Sequence, residues 1–433
     1  MRVLVLSRAW VFLCAGAAFL AFDADRTTSG AYGSPLAAPF GGAGETLLGV
    51  WARWDSVWYL GIAHDGYGYS DASPAFFPLY PLVSRALGAP LELVAEQPAA
   101  ILIAALAASL AAFGAALYFI HRLAELELGP QAGALCVWLV ALFPMSLFYG
   151  AVYSESLFLA LSAGSVWFAR TDRWALAGAL GAGAAATRSA GIILLVPLIA
   201  IYLLGPRGTG GRARPYLGVP WAVSRAGGRR FYPLRPDAAW LALVPAALAA
   251  YAGFLAADAG DPLLAVNAQD EWARELGHLG SVPAAFVGGI WQGVAAFGDG
   301  AADIFRGRES IGDLLWAPDG ATSLAAPLVN VEAGVFLAFA LLATAGALRR
   351  LPLAYGAYAA AALGLALSFP RSADPGYDVP LFSLPRFTAV IFPLFMWLAL
   401  VVRERGWDRP AIAASALLLG VYAAQWGTWQ WVS

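Results

Sequence analysis

Residues 51–81 read WARWDSVWYLGIAHDGYGYSDASPAFFPLYP. Aromatic residues, carboxylates, glycines and prolines crowd this stretch, and long apolar runs lie on either side of it. A membrane-spanning helix explains the flanks but not the stretch itself. Its periodicity predicts a helix over Trp51–Ile62, with Trp51, Trp54, Trp58 and Ile62 on one face. Asp55 falls within that face, and Arg53 falls on the opposite side, poorly placed to neutralise it. A carboxylate on an apolar, aromatic face is costly unless it has a partner or a task. Gly66 and Gly68 then break the helix. The segment from Phe76 to Pro90 is too short and too Pro-rich for a span, so it reads as re-entrant or interfacial. The competing reading of the whole stretch is an interfacial aromatic belt carrying an incidental acid.

The chain around it has 433 residues, 60% hydrophobic and 12% charged, where soluble domains are about a quarter charged. Mean hydropathy is +0.68. The expectation is an all-α polytopic membrane protein forming a single domain over 1–433. Val3–Phe22 is long enough to cross the hydrocarbon core. A cleaved signal peptide is the rival, but no small-x-small site precedes Asp23. Further spans are read at Pro98–Ile120, Gln131–Ala151, Leu157–Ala169, Trp174–Leu204, Ala238–Ala257, Pro327–Leu348, Leu351–Phe369, Arg386–Val402 and Ala411–Trp426. Thr187-Arg188-Ser189 divides Trp174–Leu204 into two short helices that meet near Arg188. The total is about eleven spans, with the N-terminus inside and the C-terminus outside.

Sidedness follows from arginine, since all 26 basic residues are Arg. The Arg groups at 122, 170–173, 207–235, 349–350 and 403–409 all fall on one side, the inside. The first outside loop, 23–97, holds eight carboxylates and three Arg. A second large outside loop is 258–326, and the Arg-rich loop 205–237 is cytoplasmic. Cys14 and Cys136 read as packing residues. Three scattered His, no zinc motif and no phosphate-binding Gly-rich loop leave no metal, cofactor or nucleic acid to expect.

The informative polar residues are those at the outer ends of spans: Asp55, Asp65, Glu155, Arg188, Asp270 and Arg386. Acids there suit a general base, and arginines suit an anionic group such as a lipid phosphate. Solvation or structural pairing is the alternative for each. Arg188 lies deep between apolar segments and must find a distant partner or an anionic ligand. Arg386 opens a helix against its dipole, which also calls for a specific partner. The residues alone leave an enzyme and a transporter both open.

Three blocks in the first loop carry a resemblance: Arg53-Trp54-Asp55-Ser56-Val57-Trp58-Tyr59, Ile62-Ala63-His64-Asp65-Gly66-Tyr67 and Ala75-Phe76-Phe77-Pro78-Leu79-Tyr80-Pro81. Weaker blocks follow at Tyr153-Ser154-Glu155-Ser156-Leu157-Phe158, Thr187-Arg188-Ser189-Ala190-Gly191 and Leu384-Pro385-Arg386-Phe387. The chain resembles the PIG-V family of mannosyltransferases and its bacterial relatives. Ala190 stands where that family usually has Asn. The resemblance implies a GT-C-type helix bundle with interfacial helices in its outside loops and a catalytic acid in the first of them. It implies mannose transfer from a polyprenyl-phosphate donor to a glycolipid or glycan acceptor, with inversion and no obligatory metal. Asp55 would be the base, and Arg188 or Arg386 would hold the lipid phosphate. Trp54, Trp58, Tyr59, Asp65, Tyr67, Phe77, Tyr80, Tyr153, Glu155 and Asp270 would line the substrate site. The location implied is a plasma membrane, with the site on the extracytoplasmic side. The rivals are a transporter or flippase of a lipid-linked sugar, and a transferase that modifies protein.

Overall fold

The computed structural model describes residues 1–22, 47–208, 232–272, 322–369 and most of 381–432, with isolated positions in 36–44 and 290–306. Every regular element among the described residues is helical, so the chain is an all-α polytopic membrane protein. The helices are α1 (Arg2–Phe22), α2 (Ser56–Asp65), α3 (Leu79–Gly88), α4 (Gln97–Leu128), α5 (Pro130–Ala141), α6 (Glu155–Arg170), α7 (Trp174–Thr187) and α8 (Leu195–Leu204). They continue with α9 (Leu243–Ala259), α10 (Leu264–Asn267), α11 (Thr322–Arg350), α12 (Leu353–Leu367), α13 (Leu384–Ala389), α14 (Phe392–Glu404) and α15 (Asp408–Gly427).

Among the described residues, five helices are long and apolar enough to cross a membrane, and a sixth span results if α5 and the 3-10 turn Pro144–Gly150 count as one. Those two meet at 78°, at Pro144, which has no amide hydrogen to continue the ladder. The other apolar segments of the eleven expected form shorter helices, among them α7, Ser189–Leu204 and α12. The division at Arg188 is as expected: α7 ends at Thr187, Arg188 is extended, and a 3-10 turn leads into α8. Pro283–Phe297, most of the loop 258–326, the Arg-rich stretch 209–231 and the loop 370–380 lie largely or wholly outside the described residues.

The 32-residue α4 is the axis of the bundle. It packs against α3, α5 and α6; α6 packs on α7, α7 on α9, and α12 on α8. Helix α15 runs beside α1. Gly427 allows that approach, since a Cβ there would stand 2.4 Å from the Ala15 carbonyl oxygen. Small residues at such contacts are the usual device for close packing in lipid.

One local expectation is corrected. No helix runs through Trp51–Ile62. A 3-10 turn spans Gly49–Trp51 and α2 begins only at Ser56. Trp54, at φ 51°, interrupts the ladder between them. Bulky residues rarely adopt this left-handed conformation, which costs on the order of 1–3 kcal/mol and needs surroundings that enforce it. Here the Trp54 ring sits edge-on against Trp426, centroids 4.6 Å apart. Asp55 therefore stands at the N-cap position of α2, its side chain making no capping bond, instead of lying on the helix face. Arg53 is not on an outer helix face either: it is buried and donates to the Trp426 carbonyl. Phe76–Pro90, read as re-entrant or interfacial, contains the ten-residue α3.

Candidate active site

Four chain segments converge at one end of the bundle. Asp55 precedes α2, Glu155 opens α6, Arg188 follows α7 and Arg386 sits in α13. The backbone favours three of these placements. Both acids stand at helix N-termini and Arg188 at a helix C-terminus, where the macrodipole stabilises each charge. Arg386 lies near the start of its helix, and two carboxylates offset that placement. Its Nη1 is 2.5 Å from Asp55 Oδ2, and its Nε is 3.5 Å from Glu155 Oε1. Arg188 Nη1 donates to the same Glu155 Oε1 at 2.6 Å. The order is Asp55–Arg386–Glu155–Arg188, with alternating charge.

Burial makes the cluster consequential. The Glu155 side chain is 1% exposed and Arg386 9%, whereas Asp55 and Arg188 keep 17% and 18%. The two outer members thus reach a surface that the inner two do not. Glu155 Oε2 is buried with no hydrogen-bond partner in the structure. The arginines rest on aromatic faces: Arg386 over Tyr153, Phe148 and Phe387, and Arg188 over Phe387. Cation–π contact of this kind holds a guanidinium in place without taking up its hydrogen-bond donors.

Two tyrosines fix the acids. The Tyr153 hydroxyl donates to the Arg53 carbonyl and accepts from the Asp55 amide, both at 3.2 Å. The Tyr59 hydroxyl pairs with Ser154 Oγ at 2.7 Å, next to Glu155. Burial pushes both hydroxyls well above their ordinary pKa, so they remain neutral hydrogen-bonding groups. Below them the Tyr149 hydroxyl donates to the Ala389 carbonyl at 2.7 Å, tying α13 to the break after α5.

The other expected site residues flank the charged cluster or lie away from it. Trp58 stacks on Phe76 at 5.7 Å and meets Tyr69 edge-on. Tyr67 and Phe77 pack on Tyr251 of α9, with the Tyr67 hydroxyl bound to the Phe76 carbonyl at 2.8 Å. Tyr80 is fully buried, its hydroxyl engaged by Ser109 and the Ala105 carbonyl. Asp65 ends α2, about 15 Å along the helix from Asp55 at 1.5 Å per residue; it is half exposed and paired with His64 at 2.6 Å. Asp270 is exposed on the 3-10 turn Ala268–Trp272. Tyr80 packs on Tyr59, centroids 5.1 Å apart, and so backs the cluster; the structure does not bring Asp65 or Asp270 to it. Sequence reasoning missed Arg53, Trp426 and Tyr149 as supports. Arg53 adjoins the quoted Trp54-Asp55 pair, but nothing local marks the other two.

Comparison with known proteins agrees with the motifs that lie within residues 2–203. Residues 2–203 match the model of a family described as mannosyltransferase (PIG-V). The chain is 34% identical over 172 residues to GPI alpha-1,6-mannosyltransferase 2 of Mus musculus, an alignment covering 38% of this chain and 35% of the relative. The Rattus norvegicus protein of that name is 36% identical over 171 residues, covering 38% and 34%. The Cricetulus griseus one is 33% identical over 153 residues, covering 34% and 31%. The chain thus spans about a third of the length of the curated relatives it matches. No solved structure matches. The PIG-V-like character read from the motifs holds over residues 2–203. Asp55, Glu155 and Arg188 fall inside that span, and Arg386 falls beyond it.

Proposed function

We propose that the chain is an inverting mannosyltransferase of the membrane, using a polyprenyl-phosphate-mannose donor and a hydroxyl of a glycolipid or glycan as acceptor. The observation that carries this reading is the Asp55–Arg386–Glu155–Arg188 cluster, because it puts a carboxylate that reaches the surface beside guanidiniums suited to phosphate. Asp55 is the general base. It takes the acceptor proton as the acceptor oxygen bonds to C1 of the sugar. The C1–phosphate bond breaks, and its electron pair leaves with the lipid phosphate. Arg386 and Arg188 hold that phosphate, since charge-assisted bonds to developing anionic charge are the strong term in such a site. A β-linked donor gives an α-linked product. Trp58 and Phe76 offer a stacked aromatic surface for the sugar or the prenyl chain. The site is read as extracytoplasmic, in a plasma membrane, because the first acidic loop carries Asp55.

The test is transfer from radiolabelled polyprenyl-phosphate-mannose to a membrane lipid extract by purified protein. Wild type should transfer, and Asp55→Asn should lose a factor of roughly 100 to 10,000, the range for a positioned base. Equal transfer by Asp55→Asn would remove Asp55 from that role. No transfer, together with movement of the intact lipid between vesicle leaflets, would make the protein a flippase.

A further inference from the structure

The four charged residues sum to zero, two carboxylates against two guanidiniums, and each guanidinium already bonds to a carboxylate. Asp55 therefore has its Oδ2 occupied at 2.5 Å before any substrate arrives. The Arg386 guanidinium stands where an acceptor hydroxyl would have to approach that oxygen. An incoming phosphate also meets arginines that are not free. Site and ligand thus compete for the same positive charge.

We propose that Arg386 is a shared group that passes from Asp55 to the donor phosphate, so that donor binding is what unmasks the base. This rests on reading the chain as a transferase of a polyprenyl-phosphate sugar. Three features support it. Arg386 is held by aromatic faces and by the longer Glu155 contact of 3.5 Å, so it can leave Asp55 and remain supported. Arg188 keeps its Nη1 on Glu155 Oε1 at 2.6 Å, which keeps Glu155 neutralised while Arg386 turns and leaves the other Arg188 donors to the phosphate. Asp55 has the more open side chain of the two acids, so it is the one an acceptor hydroxyl can reach.

The charge balance through the reaction follows the same group. With donor bound, the phosphodiester anion takes Arg386 and Asp55 is a bare carboxylate. The acceptor proton moves to Asp55 as its oxygen bonds to C1. The C1–O bond breaks towards the phosphate, which gains one negative charge as Asp55 loses one. Arg386, between them, faces the charge at its destination. The consequence is ordered binding: donor first, acceptor second.

Competition makes a prediction that a merely structural ion pair does not. Full-length protein in detergent is titrated with a short-chain polyprenyl phosphate and, separately, with inorganic phosphate, by a direct binding assay. Asp55→Asn removes the rival for Arg386, so it should bind the lipid phosphate more tightly than wild type by roughly tenfold, within the usual range of coupling between sites. Arg386→Ala should lose binding. Thermal denaturation of each variant reports whether it is folded, and Asp55→Ser carries the same comparison if Asp55→Asn is not. Equal or weaker lipid-phosphate binding by the folded Asp55 variant overturns the shared-group proposal while leaving the donor class standing. Absence of lipid-phosphate binding in wild type and variant alike, or equal affinity for inorganic phosphate, overturns the donor class itself and the proposal with it.

Discussion

At the scale of single residues, Glu155 decides most. One of its oxygens serves both arginines, and the other is buried without a partner. A buried pair broken from one side leaves an uncompensated charge, which costs about 3–5 kcal/mol. Glu155→Gln is therefore expected to destabilise the protein strongly, read as a lowered denaturation temperature in detergent. Arg188→Met should do the same. The double variant should be less damaged than the two losses added together, since neither partner is then left alone; strict additivity would show that the pair is not coupled.

At the scale of elements, the site depends on how helices stop. Helix α7 must end at Thr187 for Arg188 to leave the ladder in extended conformation, and the chain must then return tightly. Gly191 makes that return possible, because a Cβ there would stand 2.3 Å from Ala185 backbone atoms. Gly191→Ala is expected to cost about 1–3 kcal/mol through overpacking and to cut transfer by displacing Arg188. Gly364→Ala in α12, where nothing lies within 4 Å of the added Cβ, should be neutral or stabilising; a comparable loss there would mean that crowding is not the cause. The break after α5 is secured from α1. Buried Arg8 donates to the Ser146 carbonyl at 2.6 Å and to the Ala141 carbonyl at 3.1 Å. These carbonyls lie where the helix bends, so a helix interruption inside the bundle is repaired by a side chain from another helix.

At the scale of the molecule, the two ends of the bundle carry different charge clusters. Opposite the site, Arg170 Nε pairs with Glu127 Oε1 at 2.6 Å, and the Tyr355 hydroxyl donates to the same oxygen at 3.0 Å. This joins the ends of α4 and α6 to the start of α12. Arg350 pairs with Glu404, and Arg235 with Asp172, at the same set of helix ends. Glu127→Ala should destabilise by about 3–5 kcal/mol, as for any buried pair cut from one side, while the folded fraction keeps its affinity for lipid phosphate. Loss of that affinity in folded Glu127→Ala protein would show that the two ends are coupled.

The membrane class, most helix positions and the alternation of span ends were legible in the sequence, because hydropathy and arginine placement are local quantities. The residues 127, 170, 350, 355 and 404 that the structure joins at one end, and 55, 155, 188 and 386 at the other, are those that the alternation of spans puts on common sides. The outer ends of the spans also gave Asp55, Asp65, Glu155, Arg188, Asp270 and Arg386 as the polar residues of interest, and the structure joins Asp55, Glu155, Arg188 and Arg386. Pairing was not legible. Arg188 needed a distant partner, but nothing in the chain order says that it is Glu155, or that Arg386 bridges Glu155 to Asp55. Nor does the order say that Trp54 is turned into a left-handed conformation against Trp426, or that Arg53 is buried beneath the same residue. Those contacts join residues far apart in the chain. Helix packing sets them, and it responds to shape and charge across the whole bundle.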